Sequence, residues 1–416
     1  MVSLRSTLPL LLVVALLVFE EKVSSPSCQV VEDRGSSPQE GPKGGSSDDF
    51  KVMMVANLLL MGSEAGYTNI YFRDSYMSKF FRKSFERLKP DMLVVLGDIS
   101  AKGSELTSSK WLSVLQQLQR ILGPFLGLPL HVVLGDRDVG ECNKLNAKSV
   151  NQIASSLPGL DSAGCGSFEV SNISFVSLNA VALLCGNNDL RFSVERVIER
   201  ENLDLSRHDK KIKVVKSKAT DRKNDIGDFH WRDNAVESGT GPVLLLHFPL
   251  HRSIDHCRGH KTLSESIGSH LHESSSPYLH RGYIGDGPHE VVQSMPSNAT
   301  EYIFQALRPR IVFSAHTHKF CYHTHRDGTR EVTVPAMTWN VKDDPGFVIA
   351  TFRQNDAVIV SQCSLARESH VLMAYASVLV EEISKVSPIF KSQNYLKVKR
   401  GLEIMVEFGM WDQFSV

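Results

Sequence analysis

From residue 51 onward, short apolar segments alternate with segments of helical periodicity. This alternation restricts the possible folds of the chain more than any other feature of its sequence. Four apolar segments, at 52–56, 92–96, 243–246 and 311–314, are almost uninterrupted hydrophobic runs. Strands that are buried on both faces read this way, whereas half-exposed strands alternate apolar with polar residues. We therefore predict an α/β fold whose central strands are covered on both sides by helices or by a second sheet.

Weaker signals add further elements to this pattern. Strands are predicted at 131–134 and 174–178, and a hairpin is predicted from strands at 348–352 and 357–360. Helices are indicated by apolar side chains three, four and seven positions apart, namely Phe81, Phe85, Leu88, Leu115, Leu118 and Leu122. The main domain is predicted over 50–365.

The region before residue 50 predicts a secretory signal and a linker. Residues 8–19 are an unbroken apolar run, shorter than the roughly 20 residues that a spanning helix needs. Such a run is typical of a signal peptide or a short signal-anchor, which we place at 1–25. Residues 26–49 are rich in Ser, Gly, Pro and Glu, and this composition predicts a flexible linker.

Polar segments and the C-terminal tail complete the organisation. We predict polar surface insertions at about 203–240 and 251–288, the second rich in histidine. The tail, 366–416, contains a ten-residue apolar run at 371–380, which is too short to span a bilayer. This run predicts a core segment or an interfacial helix.

Charge and cysteine usage narrow the class of protein. The 46 basic and 46 acidic residues balance to a formal net charge of zero, which argues against a nucleic-acid-binding protein. In a secretory compartment the seven cysteines predict one to three disulfides and at least one free thiol, without fixing the pairs. Glycosylation sequons at Asn172 and Asn298 agree with lumenal exposure.

Side chains of metal-ligand type follow four of the predicted strands. The carboxyl ends of buried strands are where α/β folds place ligands. One such residue alone is explained by a turn or by a hydrogen-bonded core histidine, but their joint occurrence predicts a divalent metal site. Carboxylates and imidazoles together suit Mn²⁺, Fe²⁺ or Zn²⁺. The residues are Asp98, Asp136, His247, His316 and His318.

These residues and their context resemble the calcineurin-like metallophosphoesterase family. Its motifs are D-x-H, G-D-x-x-x-x-G, G-N-H-[DE], a lone His after a strand, and G-H-x-H. In this chain the last four correspond to 97–103, 135–138, His247 and 315–318. The resemblance implies a two-sheet sandwich of βαβ repeats flanked by helices, and cleavage of a phosphodiester with the help of two divalent ions.

Carried over residue by residue, the resemblance implies one strong metal site and one weak site. Asp98 matches the bridging carboxylate, and Asp136, His247 and His316 complete the strong site with it. We expect Mn²⁺ there, with Fe or Zn as alternatives. In the second site Asn57 replaces the motif's Asp and is a weak ligand, Leu59 replaces the motif's His, and Asp98 and His318 remain.

The third motif differs from the family at the position of a proton donor. Its His is replaced by Arg137, which stays charged and cannot act as a practical general acid. It can still hold a phosphate through two hydrogen bonds. We therefore predict Asp98 and Arg137 as catalytic residues, and Arg137, His251 and Arg252 as substrate contacts. His323 and His325 are expected at the exposed end of a hairpin.

The context also resembles the branch of the family that remodels GPI anchors in the secretory pathway. The segments that carry this second resemblance are HFPLHR at 247–252, SAHTH at 314–318 and TVPA at 333–336. This implies removal of ethanolamine phosphate from a GPI-anchor mannose in the ER or Golgi. GPI-anchored cargo would be a partner, and the N-terminal segment would attach a lumenal catalytic domain to the membrane. The alternative is a weakened lumenal module that binds phosphorylated glycans or assists cargo exit without turnover.

Overall fold

The structure, a computed structural model, describes residues 14–15, 18–31, 49–185, 189–220, 241–252, 294–354 and 357–386. Its strands are β1 Ser27–Val30, β2 Phe50–Val55, β3 Met92–Leu96, β4 Leu130–Val133, β5 Gly166–Val170, β6 Ile173–Ser177, β7 Val243–Leu245, β8 Ile311–Ser314, β9 Cys321–Thr324, β10 Arg330–Thr333, β11 Gly346–Phe352 and β12 Val358–Ser364. Its helices are α1 Asp74–Leu88, α2 Ser108–Leu122, α3 Asp136–Val139, α4 Ala147–Ala154, α5 Ala180–Leu184, α6 Asp189–Thr220, α7 Ser297–Leu307 and α8 Glu368–Val386.

The strands form two six-stranded mixed sheets. The first has the order β1-β12-β11-β2-β3-β4, and the second has the order β5-β6-β7-β8-β10-β9. Strands β2, β3 and β4 run parallel to one another, as do β6, β7, β8 and β10. The remaining strands pair antiparallel. The predicted two-sheet α/β sandwich with flanking helices is therefore confirmed.

The core explains why the central strands read as continuous apolar runs. Inward-facing side chains such as Val94 and Phe313 belong to one buried cluster contributed by both sheets. Their neighbours along the chain, such as Val95, lie in a second cluster with Phe81 and Leu118 from α1 and α2. Both faces of the strand are thus removed from water, which is what the sequence pattern indicates.

Most predicted strands lie where the sequence places them. Strands β3 and β8 have the predicted bounds, and β4, β6 and β7 differ by a residue at one or both ends. The predicted hairpin is formed by β11 and β12, although β12 continues to Ser364. The insertion predicted from 203 is helical in its first part, because α6 continues to Thr220. Residues 221–240 and 253–293 lie outside the described residues.

The linker predicted over 26–49 is wrong at its start, where β1 lies. This four-residue strand, SCQV, pairs antiparallel with β12, and Cys28 is directly opposite Cys363. The two cysteines form a disulfide. The strand has little apolar content of its own, so pairing and the covalent link, rather than local propensity, account for its order.

Other cysteines agree with the expected mixture of disulfides and a free thiol. Cys142 and Cys185 are joined, and Cys321 is also disulfide-bonded. Cys165 is free and buried, and burial raises the pKa of its thiol to about 12. This thiol is therefore a core side chain rather than a reactive group.

The described parts of the predicted signal segment, 1–25, and of the predicted tail, 366–416, pack on the same part of the domain. Glu20, in a helical turn at 18–23, accepts hydrogen bonds from Tyr76 of α1 and Tyr375 of α8. Helix α8 covers the apolar run at 371–380, and its Val371 is fully buried. No helix within the described ranges combines the length and the apolar character needed to cross a membrane.

A buried histidine between the sheets predicts a measurable pH dependence of stability. His131 of β4 makes a 2.8 Å hydrogen bond through Nε2 with Ser177 Oγ of β6, and burial lowers its pKa to about 4. In the unfolded chain the pKa of this histidine is near 6.5. This contribution to stability is therefore complete above that pH and is lost as the pH falls towards 4. We expect a loss of about 2 kcal/mol between pH 7 and pH 5.

Urea unfolding of the wild type and of His131→Gln at both pH values checks this expectation. Glutamine keeps hydrogen-bonding capacity but does not titrate, so the variant should lose about 2 kcal/mol less over the interval. Equal pH dependence of the two proteins would contradict the assignment.

Candidate metal centre

The carboxyl ends of the parallel strands of both sheets meet at one rim. Segments 57–60, 97–100 and 135–138, the last of which enters α3, follow strands of the first sheet, and 246–250 and 315–318 follow strands of the second. Main-chain hydrogen bonds hold neighbouring loops in register. Leu60 N–H donates to Ile99 O at 2.7 Å, and Ala315 N–H donates to His247 O at 2.9 Å. The predicted ligand positions therefore converge because the strands that carry them are adjacent.

Three predicted ligands form a compact cluster at this rim. Asp136 Oδ1 lies 3.0 Å from His247 Nε2 and 3.2 Å from His316 Nδ1. The three ligand atoms are all within 4.8 Å of one another. His247 is buried, whereas the side chains of Asp136 and His316 are each 16% exposed. The cluster is therefore open on one side.

The ring of His247 is oriented by its surroundings. Its Nδ1 lies 2.7 Å from the carbonyl oxygen of Leu96, which can only accept, so Nδ1 carries the proton. This leaves Nε2 facing Asp136, the arrangement found in metal-binding histidines. Gly97 leaves room for the ring, because a Cβ there would lie 2.2 Å from His247 Nδ1.

Asp98 lies beside the cluster and is 1% exposed. Its Oδ1 is 3.5 Å from His247 Nε2 and accepts a 3.1 Å hydrogen bond from the backbone N–H of Arg137. Its Oδ2 accepts a 3.0 Å hydrogen bond from Asn57 Nδ2. The Arg137 guanidinium approaches the same oxygen, with Nε 3.7 Å away and the side chain 45% exposed.

The loops hold these side chains with left-handed backbone conformations that are uncommon outside glycine. Such strained positions persist where the surrounding structure enforces them, and they cluster at functional sites. Five non-glycine residues of the rim have φ between 52° and 63°, namely Asn57, Leu59, Asp98, His316 and His318.

Electrostatics at the cluster favour a cation. Burial disfavours protonated His247, but the charges of Asp98 and Asp136 outweigh this effect and raise its pKa to about 9. Burial also favours protonation of Asp136, yet hydrogen bonds with His247 and His316 hold its pKa well below the usual value. A proton on His247 thus balances carboxylate charge, and a metal ion would have to displace that proton.

Asp138 is a further acidic residue of the rim, beyond the predicted ligands, and it has a positioning role. It is fully buried and accepts hydrogen bonds from Ser100 N–H at 2.9 Å and Gly135 N–H at 3.1 Å. It therefore ties the loop that carries Asp98 to the start of α3, which carries Asp136. Burial and the charge of Asp98 raise its pKa to about 7. In the sequence, Asp138 is marked by its place at the final, acidic position of the G-N-H-[DE] motif.

Two buried polar atoms of the rim lack a hydrogen-bond partner in the described part of the chain. They are Asn57 Oδ1 and His318 Nδ1. The ring of His318 lies 6.5 Å from the ring of His316. Burial, together with the nearby His316 and Arg137, lowers the pKa of His318 to about 4. His318 is therefore a neutral imidazole at the edge of the cluster.

The structure does not place Arg252 as a substrate contact. Its side chain is 8% exposed and lies against the fully buried Glu331, with Nη2 3.3 Å from Oε1. Its Nη2 also donates to Thr333 Oγ1 at 2.6 Å. These bonds engage the guanidinium inside the protein. His251 is exposed, and its backbone N–H donates to Thr300 Oγ1.

His325 also differs from expectation. The hairpin of β9 and β10 is present, but the His325 side chain is only 7% exposed, and its Nε2 donates to Glu331 Oε2 at 2.9 Å. Glu331 further accepts from Ser314 Oγ at 2.7 Å. The sequence signal for this buried network is Glu331, an acidic residue inside the short strand β10.

The residues at the rim fit one divalent ion. One carboxylate oxygen and two imidazole nitrogens converge, and these donors suit a borderline transition metal. The ring of His247 is fixed by a backbone carbonyl, and the carboxylate of Asp98 lies within reach. Asp136, His247 and His316 would hold the ion, with Asp98 beside them.

Known proteins resemble this chain over most of its length. A family model described as calcineurin-like phosphoesterase matches residues 70–320, a range that begins after Asn57 and Leu59. Metallophosphoesterase 1 homolog of Drosophila melanogaster is 24% identical over 331 residues, 79% of each chain. Metallophosphoesterase 1 of Mus musculus is 27% identical over 336 residues, 79% of this chain and 75% of that one. A solved dimetal phosphatase from Danio rerio is 12% identical, covers 77% of this chain and 99% of that one, and superposes with a TM-score of 0.40.

Proposed function

Because this chain belongs to the calcineurin-like phosphoesterase family, we propose that it hydrolyses a phosphoester in a reaction that depends on a divalent metal ion. The cluster of Asp136, His247 and His316 carries the proposal. An open cluster of one carboxylate and two imidazoles at a strand rim suits metal-assisted hydrolysis.

The residues around the cluster define what the chain itself contributes. A bound ion supplies Lewis-acid stabilisation of negative charge on a phosphate. Arg137 is half-exposed beside Asp98, so its guanidinium is available to orient the phosphate. It cannot donate a proton to the leaving group. Since a lost general acid costs roughly 10²–10⁴-fold in rate, we expect esters with acidic leaving groups to react fastest and alkyl phosphodiesters to react slowly.

We propose the finer substrate class from the sequence context. The segments at 247–252, 314–318 and 333–336 support a phosphodiester between ethanolamine and a GPI-anchor mannose as the substrate, with GPI-anchored proteins as cargo. A site in the ER or Golgi lumen, tethered through the N-terminal segment, is proposed with it. The disulfides suit an oxidising compartment, and both sequon asparagines are exposed.

Hydrolysis of bis(p-nitrophenyl) phosphate tests the proposed reaction. The wild type should turn over this diester with Mn²⁺ and lose activity after EDTA treatment. Asp98→Asn keeps the side-chain shape but removes the charge beside the cluster, so we expect a rate about 10- to 100-fold lower. Glu199→Gln, which neutralises an exposed carboxylate on α6, is the matched control and should retain the wild-type rate.

An unchanged rate in Asp98→Asn would rule out this site as the source of the activity. The second candidate function is binding of a phosphorylated glycan without turnover, and the replacement of the motif's proton donor by Arg137 favours it. Mn²⁺-dependent retention of a phosphorylated ligand, with no hydrolysis of any ester tested, would support that candidate instead.

A further inference from the structure

We propose that Arg137 and Asn57 take the place of the second metal ion, so that the chain binds one divalent ion and not two. The proposal rests on the proposed function, because it takes the cluster of Asp136, His247 and His316 as the first metal site. It concerns the opposite side of Asp98, where the family's pattern would put the second ion.

Protein hydrogen-bond donors surround the carboxylate of Asp98. Asn57 Nδ2 donates to Oδ2 at 3.0 Å, and the backbone N–H of Arg137 donates to Oδ1 at 3.1 Å. The Arg137 guanidinium adds a permanent positive charge, with Nε 3.7 Å from Oδ2. A carboxylate that is 1% exposed needs such compensation. At Oδ2 the Asn57 amide and the Arg137 guanidinium supply it, whereas Oδ1 lies near His247 of the first cluster.

The loop for a second ion is present, but its two ligand positions, Asn57 and Leu59, no longer carry the family's Asp and His. Leu59 keeps a left-handed backbone, with φ of 52°, and its N–H donates to Asp98 O at 3.0 Å. Its buried side chain offers no ligand atom. Asn57 occupies the neighbouring ligand position with φ of 52° and presents its nitrogen, rather than its oxygen, to Asp98. The backbone geometry of this loop thus survives, although neither of its two ligand positions carries the family's residue.

The Arg137 guanidinium can do two things that an ion would do here. It balances the charge of Asp98, and it can contact a phosphate, because its side chain is 45% exposed. A guanidinium recognises phosphate oxygens in a planar, two-pronged way. The arrangement therefore combines one ion with one arginine on the two sides of a shared carboxylate.

The competing occupant is a second ion held by the unpartnered atoms of this rim. Asn57 Oδ1 and His318 Nδ1 are buried and lack partners among the described residues. An ion there would require the Asn57 amide to turn its oxygen towards Asp98 and would stand beside the Arg137 charge. Metal stoichiometry separates the two occupants directly.

The experiment counts Mn²⁺ on the full chain after EDTA stripping, reloading and removal of unbound metal. We expect about one Mn²⁺ per chain by mass spectrometry and the electron paramagnetic resonance spectrum of an isolated ion. The triple variant Asn57→Asp, Leu59→His, Arg137→His should bind about two and give a spin-coupled spectrum. Two Mn²⁺ per chain in the wild type, or a spin-coupled spectrum, would overturn the proposal.

A control variant tests whether added imidazoles alone raise the count. Arg82→His with Leu126→His adds two imidazoles at exposed positions, and we expect it to bind one Mn²⁺. The wild-type count stands without the triple variant, so a triple variant that does not fold leaves the test intact.

The count is independent of hydrolysis, so the two proposals fail separately. One Mn²⁺ without hydrolysis of any ester contradicts the proposed function and supports this inference. Two Mn²⁺ per chain together with hydrolysis supports the proposed function and contradicts this inference. A chain that binds no Mn²⁺ contradicts both.

Discussion

Substitution of His316 by alanine is expected to lower the affinity for Mn²⁺ by more than about 100-fold and to lower hydrolysis with it. Changing a residue that only supports a metal ligand typically costs 10- to 100-fold, and His316 belongs to the cluster itself, 3.2 Å from Asp136. The side chain is only 16% exposed, yet it lies in a loop after β8 rather than in the core. The domain should therefore remain folded.

Titration of the stripped protein with Mn²⁺ measures this effect, and circular dichroism checks the fold. His370→Ala removes an exposed imidazole from α8 and is the matched control, with unchanged affinity expected. If His316→Ala binds Mn²⁺ like the wild type, the cluster is not the metal site.

The second large effect concerns stability. Arg252→Met is expected to lower the free energy of unfolding by about 3–5 kcal/mol, because it takes the guanidinium away from the buried carboxylate of Glu331. That carboxylate then keeps its hydrogen bond with His325 but has no guanidinium partner. Glu331 is fully buried, and Arg252 is 8% exposed. Methionine keeps much of the apolar stem, so the loss reports mainly on charge and hydrogen bonding.

Urea unfolding with the disulfides intact measures the change, with Arg82→Met on the exposed face of α1 as the control. The double variant Arg252→Met, Glu331→Gln should be more stable than Arg252→Met alone, because no buried charge is left unpaired. A loss below 1 kcal/mol in Arg252→Met would show that the pair is not a significant source of stability.

This network also connects to the metal centre. Glu331 Oε1 accepts from Leu250 N–H at 3.1 Å and from Ser314 Oγ at 2.7 Å. Leu250 lies three residues after His247, and Ser314 lies two residues before His316. One buried carboxylate thus holds both loops that carry the cluster's histidines.

The rim was predictable from sequence because its residues follow strands whose burial is evident. The run at 92–96 predicts a central strand, and Asp98 comes two residues after its end. The same reasoning gave the positions of Asp136, His247 and His316, which the structure brings together. Local pattern and position in the chain were sufficient for these residues.

What the sequence could not supply were pairings between distant positions. Arg252 and Glu331 are far apart in the chain, and no local pattern indicates that they meet. Because Arg252 is close to His247 in the chain, the sequence therefore suggested that it contacts the substrate. Strand β1 escaped prediction for the same reason, since its order comes from β12 and from the link between Cys28 and Cys363.

Strand β1 determines which main-chain edge the first sheet presents to other chains. Without it, the seven-residue β12 would be the outermost strand of its sheet, with a row of unpaired main-chain groups that another chain could join. The four residues of β1 cover that row, and the Cys28–Cys363 bond holds them in place. Reduction of this bond would remove the covalent restraint on β1. We therefore expect reduction to expose the edge of β12 and to favour association between chains.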